Sequence, residues 1–167
     1  MTPAPALSHP DAEFHFETLA NGRRRLRIEP KRPIFVSRST VETSYPDELI
    51  AAIVATKAAG SVCDEIARDE DPAYVESTLR RDIFALFSEP ELRGRRILDV
   101  GCGSGASTAI LHRMLPDAEI WGVELDESLL RIARLRALHH GFSPERLMLA
   151  PHGNTLPSGL GPFDFVS

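Results

Sequence analysis

The sequence predicts an α/β fold in its second half, a parallel sheet with crossover helices, preceded by a helical extension. Three observations predict it. Residues 96–108, RILDVGCGSGAST, set a short apolar run directly before glycines at alternate positions. A second apolar run, 119–123, follows one helix length later, and a third, 146–150, follows a second helix length. Short apolar runs alternating with helical stretches are the pattern of parallel strands buried on both faces.

The chain begins with about 12 residues rich in proline and small side chains. Residues 1–44 therefore read as a loose or extended N-terminal segment. Phe14, Phe16 and Leu19 make a small apolar patch or the edge of a strand. Arg23, Arg24, Arg25 and Arg27, with Lys31 and Arg32 close behind, form a basic cluster. Pro30 and Pro33 exclude a regular helix there. Ile34, Phe35 and Val36 read as a short extended segment.

Residues 45–91 read as a helical extension or lid. Pro46 suits a first helical position, and Asp47 and Glu48 suit a first turn. Leu49, Ile50, Ile53 and Val54 keep helical spacing, and Gly60 reads as the stop. A second helix is expected over 62–68, broken by DEDP at 69–72. A third is expected from Pro72, carrying Val75, Leu79, Ile83, Phe84 and Phe87. Tyr45 and Tyr74 sit near predicted helix starts as partly buried rings, and Cys63 reads as a small core residue.

The glycine stretch carries the chemistry. Ile97, Leu98 and Val100 supply a buried strand that Asp99 closes with a charge. Gly101, Gly103 and Gly105 then let backbone approach a ligand, because no Cβ intervenes. The helix that follows points N–H groups at the same place. A phosphate-binding loop is excluded, since no Gly-Lys-Ser or Gly-Lys-Thr follows. The dinucleotide fingerprint is met through Gly101, Gly103 and Ala106, which leaves a nicotinamide-dependent oxidoreductase open. Glu124 stands at the end of the second strand, 19 residues after Gly105. A carboxylate there can accept both vicinal hydroxyl hydrogens of a ribose. Asp126 reads as the N-cap of a helix over 127–139. Arg131, Arg134 and Arg136 read as charges on its solvent side.

The stretch 97–105 resembles the first motif of the class I S-adenosylmethionine-dependent methyltransferases, apolar-apolar-Asp-apolar-Gly-x-Gly-x-Gly. Every position is filled: Ile97, Leu98, Asp99, Val100, Gly101, Gly103 and Gly105. The family's cofactor has no pyrophosphate, and the loop wraps its amino-acid portion. The resemblance extends over about 92–167. It takes in Glu124 for the ribose and Phe163-Asp164-Phe165-Val166 as the opening of a fourth strand. Where the family has Gly-Asp-Ala beside the adenine amino group, this chain has Gly153, Asn154 and Thr155. Asn154 can still accept an N–H hydrogen bond but carries no charge.

The resemblance implies a partial Rossmann-like sheet of four strands, with the first strand central. It implies S-adenosyl-L-methionine as cofactor, held by Asp99, Gly101, Cys102, Gly103, Gly105, Glu124 and Asn154. No catalytic base is nominated. The family's further helix and strands do not follow Ser167. The chain therefore reads as a truncated methyltransferase domain of uncertain activity on its own, able to self-associate through an uncovered sheet edge. A non-catalytic binding domain is the other alternative.

Composition narrows the partners. The net charge of −5, with no aromatic stacking pattern beside the arginines, argues against nucleic acid. A small-molecule acceptor is expected instead. No run of 18 apolar residues and no signal-peptide pattern occurs, and only Cys63 and Cys102 carry thiols. These features predict a cytoplasmic protein without a disulfide framework. His139 and His140 are adjacent rather than four apart, so no metal site is expected.

Overall fold

A computed structural model describes residues 7–81, 84–85, 87–152 and 155–167. The chain divides between Tyr74 and Val75 into two compact units.

The first unit contains an antiparallel meander of β1 (Ser8–His9), β2 (Ala12–Thr18), β3 (Arg24–Pro30) and β4 (Thr40–Thr43), with neighbours in chain order. Alternation builds it: Leu26 and Ile28 are buried, while Arg25, Arg27 and Glu29 face outward. Gly22, with φ +80°, turns the chain from β2 into β3. The basic cluster lies on an interior strand, and acids of the same unit answer it. Arg25 reaches Glu17 at 3.3 Å and Glu42 at 2.9 Å, Arg23 reaches Glu70 at 2.9 Å, and Arg24 bonds Asp47. Where a loose or extended segment was expected, residues 8–43 thus carry a sheet. Residues 34–36 form no strand.

Behind the meander in sequence come α1 (Asp47–Thr56), a 3₁₀ turn (Ala59–Ser61), α2 (Val62–Glu70) and the single turn α3 (Pro72–Tyr74). Pro46 is the N-cap of α1 rather than its first residue. Gly60 does not stop α1, which has already ended. A Cβ there would stand 1.9 Å from the Phe35 carbonyl oxygen, so glycine is required by a close backbone approach. Tyr45 is fully buried, and its hydroxyl donates to the buried Asp69 carboxylate.

The second unit opens with a π-helical turn, Val75–Arg80, where a regular helix was expected; Ile83 lies outside the described residues. Then follow α4 (Glu89–Leu92), β5 (Arg96–Val100), α5 (Ala106–Met114), β6 (Glu119–Glu124), α6 (Glu127–His140), β7 (Leu147–Leu149) and β8 (Phe165–Val166). The four strands are parallel in the order β7-β6-β5-β8. The first strand of the unit is therefore central, with the fourth beside it. Asp164 pins that fourth strand. Its carboxylate accepts the Arg96 N–H at 2.8 Å, and its own N–H donates to the Arg96 carbonyl at 2.8 Å.

Both crossover helices cover one sheet face. Ile97 pairs with Ile120, and Asp99 with Gly122. Ile97 and Ile120 pack with Leu111 and Leu115 of α5 and its C-terminal end. Leu147, which pairs with Gly122, packs with Leu130, Ala133 and Ala137 of α6. On the other face Leu98 and Val123 are buried, while Val100 is 48% and Val166 63% exposed. The burial expected on both faces is met on the helix side at Ile97, Ile120 and Leu147, and not at Val100 and Val166 on the other.

His112 on α5 lies against the Phe142 ring, with centroids 4.6 Å apart. Burial pushes its pKa below the ordinary 6.5, and the nearby Arg146 and His140 push the same way. The unfolded chain therefore binds this proton at higher pH than the folded one. Stability from this group is full above about pH 6.5 and is lost as pH falls below it. Thermal melts at pH 7.5 and 5.5 should show a smaller drop in His112→Gln than in the wild type. An equal drop would refute the assignment.

Candidate functional site

The site forms where the strands end. Val100 pairs with Val123, so β5 runs into its glycine turn where β6 reaches Glu124. The Gly101 and Cys102 N–H groups both donate to the Val123 carbonyl, at 2.8 and 3.0 Å. Gly103 N–H donates to Glu124 Oε2 at 2.7 Å. Glu124 Oε1 accepts from Leu125 and Asp126 N–H at 2.7 and 3.0 Å. One carboxylate therefore ties the glycine loop to the turn that starts α6. Asp126 caps that helix through Ser128 and Leu129 N–H groups, as the sequence predicts.

Gly101, Gly103 and Gly105 have φ of +71°, +56° and +79°, where a side chain is strained. They differ in what surrounds them. A Cβ on Gly101 would meet nothing within 4 Å, and one on Gly103 would meet only a carbonyl at 4.0 Å. A Cβ on Gly105 would stand 2.7 Å from the Ala133 Cβ and 2.9 Å from its Cα. The first two glycines leave open space where a ligand can approach backbone. The third lets α6 pack against the loop. A cleft of about 490 Å³ opens beside Gly101, lined also by Val100, Glu124, Leu125, Leu156 and Val166 among others. Its walls are mostly apolar, with the Glu124 carboxylate at the rim of the loop. Such a space suits a ligand with an apolar part and a group that can donate to a carboxylate.

Asp99 does not close the strand. It lies within β5, buried, and accepts a 2.6 Å hydrogen bond from the Thr108 hydroxyl of α5. Its carboxylate thus fixes the helix that follows the loop. Cys102 presents only backbone to the loop. Its thiol is buried among Ala109, Leu130 and Leu147, and burial pushes its pKa up to about 12, with Asp99 and Glu124 adding to the shift. Gly122 makes room for it, since a Cβ there would stand 3.0 Å from the Cys102 sulfur. Asn154 and Gly153 lie outside the described residues. Their neighbours His152 and Thr155 line the cleft.

Arg136 corrects the sequence reading of α6. It is completely buried, and its Nη1 donates to the Ser104 carbonyl at 2.6 Å and the Ser104 hydroxyl at 3.2 Å. Arg134 donates to the Leu147 carbonyl at 2.9 and 3.0 Å. Arg136 stands three residues after Ala133, on the same helical face, and that spacing was the available signal.

Residues 97–167 match the family described as a methyltransferase domain. Trans-aconitate 2-methyltransferase of Afipia carboxidovorans is 45% identical over 56 residues, 34% of this chain and 21% of that protein. Carboxy-S-adenosyl-L-methionine synthase of Campylobacter hominis is 34% identical over 82 residues, 48% of this chain and 34% of that protein. A solved S-adenosylmethionine-dependent methyltransferase from Aquifex aeolicus is 20% identical, with a TM-score of 0.46 over 62% of this chain and 54% of that one. The chain thus spans only about a fifth to a third of these two curated relatives. The similarity to methyltransferases therefore lies in the C-terminal part of the chain, with the family matched over residues 97–167.

The glycines separate by stability. Gly103→Ala should cost about 1–2 kcal/mol, the strain of a side chain in left-handed backbone. Gly105→Ala should cost that plus about 1–3 kcal/mol of overpacking against Ala133. Urea unfolding of both variants measures the order, and equal losses would contradict it. The Cys102 thiol should resist iodoacetamide at pH 8 in the folded chain and react once urea unfolds it. Mass spectrometry of the labelled peptide reads this, and rapid native labelling would place the sulfur elsewhere.

Proposed function

We propose that this chain binds S-adenosylmethionine through residues 92–167 and serves methyl transfer to a small-molecule acceptor. One observation carries the reading: Gly101 and Glu124 line a largely apolar cleft, and Gly101 and Gly103 leave open backbone next to that carboxylate. In this reading the glycine loop wraps the amino-acid portion. Glu124 takes the ribose hydroxyls, and Leu125 and Leu156 flank the adenine. Asn154 accepts from the adenine amino group. Asp99 and Cys102 act behind the loop, Asp99 by setting α5 and Cys102 by filling the space under Gly122.

The bound cofactor supplies an already activated methyl group on a sulfonium. The chain's own contribution is orientation and exclusion of water. No residue is assigned as a base. Among the described residues no helix is long and apolar enough to cross a membrane. We assign the protein to the cytoplasm, where its two buried free thiols stay reduced. Edge strand β8, with its exposed Val166, is the surface we assign to self-association.

Calorimetry with S-adenosylhomocysteine and with reduced nicotinamide dinucleotide tests the cofactor. Binding of the first and not the second supports the reading; the reverse outcome makes the chain a dinucleotide-binding protein. A carboxylate offers about four acceptor sites, and three N–H groups already use Glu124. Taking both hydroxyls requires exchange of one N–H. Glu124→Gln should therefore lose roughly 1.5–3 kcal/mol of affinity for the intact ribose. It should lose little for the 2′,3′-dideoxy analogue. A wild type that treats the two ligands alike removes Glu124 from the site.

A further inference from the structure

The Ser104–Gly105 peptide follows Gly103 and ends on Gly105, both of left-handed φ, with Ser104 as its other neighbour. Gly105 lacks a Cβ and so restrains its own side of this peptide weakly, which leaves the orientation to be set largely by contacts. Two hydrogen bonds among its contacts hold it. The Gly105 N–H donates to the Cys102 carbonyl at 2.9 Å. The Ser104 carbonyl accepts from Arg136 Nη1 at 2.6 Å. Because the peptide is planar, fixing its carbonyl fixes the whole unit.

The donor is costly to place there. Arg136 is a permanent cation with no exposed surface, and a buried charge is tolerated only when its N–H groups are met. Its helix touches the loop one turn earlier as well, through Ala133 beneath Gly105. The loop is therefore braced from α6 at two successive residues, once by contact and once by a charged hydrogen bond.

We infer that Arg136 is a positioning residue for the amino-acid end of the cofactor. It holds the Ser104–Gly105 peptide in one orientation, so the loop is formed before the ligand arrives. Its guanidinium is fully buried and meets the loop through the Ser104 carbonyl and hydroxyl. The inference rests on the reading that this loop wraps that end of S-adenosylmethionine. Lysine cannot replace it fully, since an ammonium is a compact point donor rather than a fixed fork.

The test compares two ligands on the full chain. S-adenosylhomocysteine carries the amino-acid portion; methylthioadenosine keeps adenine, ribose and sulfur but lacks it. Arg136→Met should weaken S-adenosylhomocysteine about tenfold or more, the scale on which orienting partners of binding groups act. It should leave methylthioadenosine within about twofold, an allowance for the ordinary spread of single-site effects. Arg136→Lys should fall between and reads the same ratio where the methionine variant does not fold. General loosening of the fold would weaken both ligands together, so the ratio isolates positioning. A folded variant with the wild-type ratio overturns the inference while leaving the cofactor reading intact. A wild type that binds neither ligand overturns the cofactor reading, and this inference with it.

Discussion

The site depends on one carboxylate. Glu124 accepts N–H groups from Gly103 on one side and from Leu125 and Asp126 on the other. Those N–H groups belong to two turns that leave neighbouring strands at the same level. Without an acceptor between them, each turn would have to satisfy its backbone in water. A negative charge shared by three backbone donors gives short, strong hydrogen bonds and holds the turns together. Glu124 reaches this position because β5 and β6 are parallel and in register, Val100 opposite Val123.

The rest of the second unit can be read as support for that junction. Thr108 and Asp99 lock α5 to β5, so the helix leaves the loop at a fixed angle. Ala133 and Arg136 lock α6 to the far side of the loop. Gly122, Cys102 and Leu147 fill the space beneath, where a larger residue at 122 would push the sulfur out of place. Ala133, Arg136 and Gly122 reach from distant sequence to a loop of only five residues between β5 and α5. The loop is short and glycine-rich, so its shape comes from its neighbours rather than from its own side chains. That separation suits a binding loop. The backbone that meets a ligand stays uncluttered, while rigid elements behind it carry the packing.

The first unit follows a different logic. Its charges are answered locally: acids on β2, β4, α1 and α2 meet Arg24 and Arg25 of β3 and Arg23 just before it. The strongly basic stretch is therefore not a free electrostatic surface, and its pairing agrees with the acidic balance of the whole chain. Its core is completed by Tyr45 and Asp69, a buried ring whose hydroxyl meets a buried carboxylate. A buried carboxylate requires such donors.

The sequence by itself determined the parts whose signal is local. Ile97, Leu98 and Val100 before three alternating glycines specify strand, turn and helix. Glu124 is placed by spacing, and Asp126 by its capping chemistry. These follow from period and backbone freedom, which neighbouring residues decide. Tertiary structure decided what depends on partners distant in sequence. Arg136 carries the same charge as Arg131 and Arg134, and only its position against Ser104 makes it an interior donor. Cys102 looks like a loop residue until the strands pair and turn its thiol into the core. The arginines from Arg23 to Arg25 look like a basic patch until the meander brings Glu17 and Glu42 to Arg25 and α2 brings Glu70 to Arg23. In each case the deciding interaction is a hydrogen bond, ion pair or contact across the fold, whose geometry exists only once the chain has closed on itself.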